Sequence, residues 1–231
     1  MSEHHAVQGQ GPGGSPLQTV ADAQHTPVLP STLSPAAALE RLMQGNERFV
    51  KRETTAHFAT PGLLAHLAES QAPFATILGC SDSRVPPEIL FDQGLGDLFI
   101  VRVAGNVLGA ETLGSMAYAL EHLRTPLFVV LGHENCGAVR AALETKVRGA
   151  KHHERLAPLL NEILPNLEGV DPTQSFESQM RYAVEANVRL ELRQLAATPA
   201  GRAALDEGRI QLAGAIYELA TGKVRFLEEK L

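Results

Sequence analysis

Short apolar runs alternate along the chain with segments in which apolar residues recur at helical spacing. The runs at 74–79, 98–103 and 127–132 are rich in Val, Ile, Leu and Phe, as is typical of buried parallel strands. The segments 112–123 and 137–147 carry the helical spacing. This alternation predicts an α/β domain with a mostly parallel central sheet flanked by helices.

Helix signals precede the first run and follow the last. Ser34 can cap a helix and Pro35 suits its first turn, so we predict an N-terminal helical arm from there. The arm could pack on its own domain or reach across to a partner subunit. Further along, Asp171 and Pro172 are interpreted as the cap and first-turn proline of a long helix that runs to about residue 197.

The C-terminal segment predicts the rest of the sheet. Residues 210–219 alternate as a strand does, and a Thr221-Gly222 turn leads into 223–227, which could form an edge hairpin with it. We therefore expect about four parallel strands plus an edge strand.

Composition adds limits to this picture. The chain has 231 residues, of which 44% are hydrophobic, so one domain over 34–231 is expected. Residues 1–33 are rich in Gly, Pro, Gln, Ser and Thr and are predicted to form a flexible tail. The formal charge of −6 and the lack of any basic block argue against nucleic acid or an anionic membrane surface as partner.

The first residues carry neither the basic start nor the apolar stretch of a signal peptide. The apolar runs are also too short to cross a bilayer. A cytoplasmic location is expected. In a reducing cytoplasm, the two cysteines of the chain would be free thiols, metal ligands or nucleophiles more often than a disulfide.

Metal-capable side chains follow two of the predicted strands. Cys80 comes directly after the first apolar run, and His133 and Cys136 follow the third. Neighbouring parallel strands lie about 4.8 Å apart and ligands bind at their carboxyl ends, so we expect these side chains to meet. Two thiolates and an imidazole suit Zn²⁺ and leave a fourth position for water, as in catalytic sites. Taken alone, each cysteine could instead be a small core hydrophobe.

Asp82 and Arg84 place a charged pair directly after Cys80. Desolvated charges at the end of a buried strand are costly, and a nearby cation together with an anionic substrate would account for them. The alternative is a capping aspartate and a surface arginine at a turn between strand and helix.

Two segments carry a resemblance to a known family. CSDSRVPPE at 80–88 and GHENCGA at 132–138 closely resemble the two signature motifs of the β-carbonic anhydrases. The order and spacing from about residue 34 to 143 are similar as well, including FDQGLGDLFIVRVAGN at 91–106. The C-terminal third fits the family less specifically.

The resemblance implies zinc held by Cys80, His133 and Cys136, and a catalytic pair of Asp82 and Arg84. In some relatives the aspartate that matches Asp82 turns onto the metal as a fourth ligand. The implied activity is the zinc-dependent, reversible hydration of carbon dioxide to bicarbonate and a proton by zinc-bound hydroxide. Asp82 would orient the hydroxide, and Arg84 would hold Asp82.

The resemblance also implies substrate-binding roles for Gln71, Phe99 and Tyr118, and a homodimer or homotetramer. Ordinary core packing is the alternative for Phe99 and Tyr118. Ala104 stands where some family members have a bulkier pocket residue, which bears on the size of the pocket.

Two other functions are compatible with the same motifs. One is hydrolysis of carbon disulfide or carbonyl sulfide on the same scaffold, which access to the pocket would decide. The other is a non-catalytic zinc-binding scaffold protein. Structural zinc sites usually have four closed ligands, and together with the Asp82–Arg84 pair this favours chemistry over a scaffold role.

Overall fold

A computed structural model of the chain describes residues 31–57 and 59–228. The tail predicted over 1–33 falls almost entirely outside the described residues. The helices are α1 (Pro35–Lys51), α2 (Pro61–Glu69), α3 (Pro87–Leu90), α4 (Ala110–Tyr118), α5 (Gly137–Arg148), α6 (Ala157–Ile163), α7 (Phe176–Ala197) and α8 (Pro199–Asp206). The strands are β1 (Ala75–Gly79), β2 (Leu98–Arg102), β3 (Leu127–His133), β4 (Gln211–Tyr217) and β5 (Val224–Phe226).

The strands form one sheet in the order β2-β1-β3-β4-β5. The first four of these are mutually parallel, and β5 pairs antiparallel with β4. Every residue of β1 and β3 is buried, as expected for central strands that helices cover on both faces. The predicted α/β fold, with four parallel strands and an edge strand, is therefore confirmed.

Helix α1 begins where the sequence predicts. The Ser34 hydroxyl accepts a hydrogen bond from the Ala37 N–H at 3.2 Å, and Pro35 occupies the first turn. Ala38 and Leu42 are fully buried in the core. In this chain, the arm therefore packs on its own domain.

The predicted cap of the long helix is wrong. Helix α7 begins at Phe176, and Ser175 is its N-cap, accepting from the Ser178 N–H at 3.2 Å. The Asp171 carboxylate instead accepts from the Thr173 N–H at 2.8 Å and closes a local turn that contains Pro172. Aspartate side chains stabilise such turns as readily as helix ends, so the two signals cannot be separated by residue type.

The long helix α7 covers part of the sheet. Nine of its residues are buried, and it packs on both β3 and β4. A short 3₁₀ turn at Ala104–Asn106 contacts β1, β3 and α5, and another at Leu164–Leu167 contacts α5 and α7. None of the helices in the described part of the chain is long and apolar enough to cross a membrane.

Candidate metal centre

The carboxyl ends of β1 and β3 bring the predicted ligands together. Cys80 directly follows β1, His133 is the last residue of β3, and Cys136 is the N-cap of α5. The two strands are adjacent and parallel, with Gly79 level with Leu131. The residues that follow them therefore emerge at the same edge of the sheet.

The three side chains converge on one buried point. The Sγ atoms of Cys80 and Cys136 are 3.9 Å apart. These sulfurs and a ring nitrogen of His133 all lie within 4.8 Å of one another, and all three residues are buried. Their spacing is that of a group able to hold one metal ion.

The ring of His133 leaves one nitrogen without a partner. Its Nδ1 lies 2.9 Å from the Glu134 carbonyl oxygen, which accepts the Nδ1–H. Its Nε2 is buried and has no hydrogen-bond partner among the described residues. A buried polar atom without a partner is costly. A metal would satisfy the Nε2 lone pair, and the backbone carbonyl would fix the tautomer, as is usual for histidine ligands.

Hydrogen bonds around the sulfurs favour a thiolate. The Cys80 Sγ accepts from the N–H groups of Gly105 at 3.3 Å and Asp82 at 3.4 Å. The hydrogen bond from the Cys136 thiol is the largest cause that lowers the pKa of Cys80 to about 4, against the opposing effect of burial. The same bond, with burial, raises the pKa of Cys136. A divalent cation would allow both sulfurs to ionise, so the donor set fits Zn²⁺.

Asp82 and Arg84 form a bidentate pair beside the sulfurs. Asp82 Oδ1 accepts from Arg84 Nε at 2.9 Å and Oδ2 accepts from Arg84 Nη2 at 2.7 Å. The hydrogen bonds from Arg84 hold the pKa of Asp82 well below its usual range. Asp82 Oδ2 lies 3.9 Å from His133 Nε2. The carboxylate therefore turns to Arg84 at the rim of the centre, and its role as a fourth metal ligand stays a prediction.

Arg102, which the sequence reasoning missed, holds the loop that carries Cys80. Its Nε donates to the Cys80 carbonyl at 2.9 Å, and its Nη2 donates to the Asp82 carbonyl at 2.6 Å. Arg102 is the last residue of β2. The sequence did carry a signal for Arg102. A charged residue near the end of an apolar run, at the edge of the sheet where the ligands lie, needs a polar partner for the same reason as Asp82.

The predicted substrate residues are placed differently from one another. Phe99 and Tyr118 contact each other, with ring centroids 6.1 Å apart, and Tyr118 is 44% exposed. Ordinary core packing therefore does not describe Tyr118 in the single chain. Gln71 is exposed in the segment between α2 and β1, and its side chain has no hydrogen-bond partner among the described residues. The substrate roles of all three stay predictions.

Comparison with known proteins adds independent observations. A family model described as carbonic anhydrase matches residues 75–224. The carbonic anhydrase of Mycolicibacterium smegmatis is 38% identical over 196 residues, covering 83% of this chain and 92% of that protein. Carbonic anhydrase 2 of Mycobacterium tuberculosis H37Rv is 36% identical over 200 residues, covering 84% and 93%. The β-carbonic anhydrase CafA of Aspergillus fumigatus has a solved structure with a TM-score of 0.63 and 28% identity, covering 84% and 90%.

Proposed function

Because the chain belongs to the β-carbonic anhydrase family, we propose that it catalyses the zinc-dependent, reversible hydration of carbon dioxide to bicarbonate and a proton. The observation that carries this proposal is the meeting of Cys80, His133 and Cys136 around an unpartnered His133 Nε2, beside an ionised Asp82. A scaffold protein would have no use for that carboxylate at the rim.

Cys80, His133 and Cys136 would hold the zinc ion. When bound, zinc supplies a Lewis acid that makes water nucleophilic near neutral pH. Three protein ligands leave room for solvent, whereas structural zinc sites are closed by four. The buried surroundings of the three ligands also support a site with restricted solvent access.

Asp82 acts as the orienting acceptor in this proposal. Each of its oxygens is bonded to Arg84, and a carboxylate oxygen can accept more than one hydrogen bond. Oδ2, which lies 3.9 Å from His133 Nε2, can therefore also accept a hydrogen bond from the attacking water and direct its lone pair at the substrate carbon. Arg84 keeps Asp82 ionised, and Arg102 keeps the backbone of its loop in place.

The apolar rings of Phe99 and Tyr118 suit a small uncharged substrate such as carbon dioxide. Gln71 is proposed to contact the substrate from the segment before β1. No contact seen in the described residues of the single chain carries these substrate roles. They are proposed because the three positions match the family motifs.

The experiment that tests the function combines metal analysis with stopped-flow hydration of carbon dioxide. We expect the purified protein to hold zinc and to accelerate hydration above the buffer rate. Cys80→Ser and His133→Ala should each lose zinc and activity together, whereas Asp171→Asn, in a turn of its own, should change neither. A zinc-loaded protein with no rate above buffer would overturn the proposal in favour of a scaffold role. Release of sulfide from carbon disulfide at a higher efficiency would favour the other hydrolytic activity.

We also propose a homo-oligomer, either a dimer or a tetramer. Within the described residues, the edge strand β2 has no neighbouring strand on its outer side, and unpaired edges favour pairing with another chain. Large apolar side chains are exposed nearby, including Leu95 at 57% just before β2. Light scattering should report a mass that is a multiple of the chain, and Leu95→Asp should reduce it. A monomer at assay concentrations would contradict the proposal.

A cytoplasmic location completes the proposal. Both cysteines are free thiols that the site uses as ligands, and a reducing compartment preserves them. Fractionation of the source cells should recover the chain with cytoplasmic markers.

A further inference from the structure

Three buried polar side chains lie behind the metal centre, outside the set described above. Asn166 belongs to the 3₁₀ turn at Leu164–Leu167, and Asn187 and Glu191 are one turn apart on α7. Their exposed fractions are only 6%, 0% and 1%. Burying an amide or a carboxylate this deeply is unfavourable unless its hydrogen bonds are made, so the cluster calls for a physical reason.

The cluster is a continuous chain of hydrogen bonds. Asn166 Nδ2 donates to Glu191 Oε1 and to Asn187 Oδ1, both at 2.8 Å. The second oxygen of Glu191, Oε2, accepts from the Leu108 N–H at 2.8 Å. Asn187 Nδ2 donates to the Gly105 carbonyl at 2.9 Å. Both ends of this hydrogen-bond network therefore lie on the backbone of the segment 105–108.

That segment contacts the metal centre directly. The Gly105 N–H donates to Cys80 Sγ at 3.3 Å. Gly105 and Asn106 both adopt positive φ, at 74° and 46°, and such conformations persist where the surroundings hold them. A Cβ at Gly105 would also lie 2.8 Å from Ile163 Cδ1, so the segment is confined from that side too.

We propose that Asn166, Asn187 and Glu191 are positioning residues of the metal centre, which hold the segment 105–108 so that the Gly105 N–H stays on the Cys80 sulfur. The proposal rests on the proposed function in that the centre is taken to hold zinc. None of the three is hydrogen-bonded to a predicted metal ligand in the described residues. Asn187 acts on Gly105 directly, Glu191 acts on the same segment through Leu108, and Asn166 joins the two. Residues that orient metal ligands through hydrogen bonds commonly control affinity and reactivity.

The chemistry of Glu191 supports a matched, specific role. Each of its two oxygens accepts one N–H, an arrangement that a carboxyl group allows and a side-chain amide does not. A glutamine would turn an amide N–H₂ towards one of those donors. Desolvation raises the pKa of Glu191 to about 7, which shows that burial of this carboxyl group is costly. If the position only filled space, an apolar side chain would avoid that cost.

The test uses Glu191→Gln and Asn187→Leu in the full-length protein, with Glu177→Gln as the control on an exposed position of the same helix. Zinc affinity is measured against a competing chelator, and the thiolate-to-metal charge-transfer band is recorded after replacement by cobalt(II). We expect each test variant to bind zinc about 10- to 100-fold more weakly and to shift the band, because the environment of the Cys80 sulfur changes. The control should match the parent protein.

The double variant separates a connected chain from independent effects. If the residues act together through the segment 105–108, the double variant should bind zinc little more weakly than the weaker-binding single variant. Unchanged affinity and an unchanged band in both single variants would overturn the proposal, whatever their stability. Failure of both to fold would also overturn it, by assigning the residues to the core alone. Zinc affinity and the cobalt band are measured without catalytic turnover. If the parent protein proved unable to hydrate carbon dioxide, the proposed function would be rejected, whereas this inference would still be decided by the two binding measurements.

Discussion

At the scale of single residues, the rim of the centre is organised around one ionised carboxylate. Asp82 accepts three hydrogen bonds from Arg84, one of them from its backbone N–H. The Arg84 side chain is 53% exposed, whereas Asp82 is mostly covered. The arginine therefore keeps its own hydration while it neutralises a charge close to the ligands, which makes the pair less costly than a fully buried one.

Substitution of Asp82 by asparagine tests its orienting role. The amide keeps the shape but offers one acceptor atom in place of two, and it loses the charge that Arg84 pairs with. We expect zinc to be retained, because Cys80, His133 and Cys136 remain, and kcat/KM for hydration to fall about 10- to 100-fold. Stopped-flow kinetics with parallel metal analysis make the measurement.

Asp171→Asn is the matched control, since it makes the same chemical change in a turn at the surface. Full activity in Asp82→Asn would show that orientation comes from elsewhere in the site. A loss of zinc in the same variant would instead favour Asp82 as a metal ligand.

The residues of the centre differ in how visible they are in the sequence. Cys80, His133 and Cys136 could be predicted to meet, because each follows an apolar run whose end is fixed by the sheet. Glu191 could not be recognised as buried, since a glutamate on a helix is usually solvated. Its signal was positional: it continues the spacing of the buried Val184 and Asn187 along α7.

At the scale of elements, the approach of α7 to the sheet depends on glycine. A Cβ placed on Gly132 in β3 would lie 2.5 Å from Val188 Cγ2, well inside normal contact. Gly214 in β4 faces the same valine, with 3.1 Å from its ideal Cβ to Val188 Cγ1. The two strands therefore have no side chain where Val188 of the helix packs on them. One of these glycines, Gly132, directly precedes His133.

Gly132→Ala is expected to lower the free energy of unfolding by about 1–3 kcal/mol, because the added methyl overpacks a filled contact. It should also weaken zinc binding, since His133 is the next residue and moves with its strand. Urea denaturation and chelator competition measure the two effects.

Gly62→Ala in α2 supplies the comparison, because, apart from its chain neighbours and the backbone of its own helix, no described atom lies within 4 Å of its ideal Cβ. That variant should be neutral or slightly stabilised. Equal stability of the two variants would mean that α7 adjusts to the extra volume without cost.

The elements were predictable to different degrees for physical reasons. The central strands β1 and β3 are largely apolar because both of their faces are covered, so they stand out in the sequence. The edge strand β2 stands out as well, because residues 98–101 are apolar although they are only partly buried in the single chain. Helix α2 has no buried residue in this chain and therefore shows no strong apolar stripe. Helix α8 follows α7 after a single residue, Thr198, which ends one helix and caps the next. Neither helix was predicted.

At the scale of the whole molecule, Glu191 links global stability to pH. Burial raises its pKa in the folded chain to about 7, from an ordinary value of 4.5. The folded state therefore binds this proton more tightly than the unfolded state does. The resulting stabilisation is complete below the unfolded pKa and is lost as the pH rises through the folded one.

Comparison with Glu191→Gln isolates this contribution, because the variant keeps the other titrating groups. The difference in unfolding free energy, parent minus variant, is expected to fall by up to about 3 kcal/mol as the pH rises from below 4.5 to above 7. Urea titrations in the presence of a chelator remove any contribution from metal binding. A difference that stays constant over this range would mean that Glu191 titrates normally in the folded chain.

The pairing of β1 with β3 has a consequence for how such chains can change over time. Gly79 is level with Leu131, so the offset between the strand ends that carry Cys80 and His133 is set by the pairing of the strands. Inserting one residue into either strand would displace its end by about 3.3 Å and turn the following side chains to the opposite face. The connection between the strands contains β2 with Arg102 and the segment 105–108, so changes in its length are expected only in the parts that do not contact the centre. Distant relatives should therefore be identified by aligning these two strands, even where a different number of residues separates Cys80 from His133.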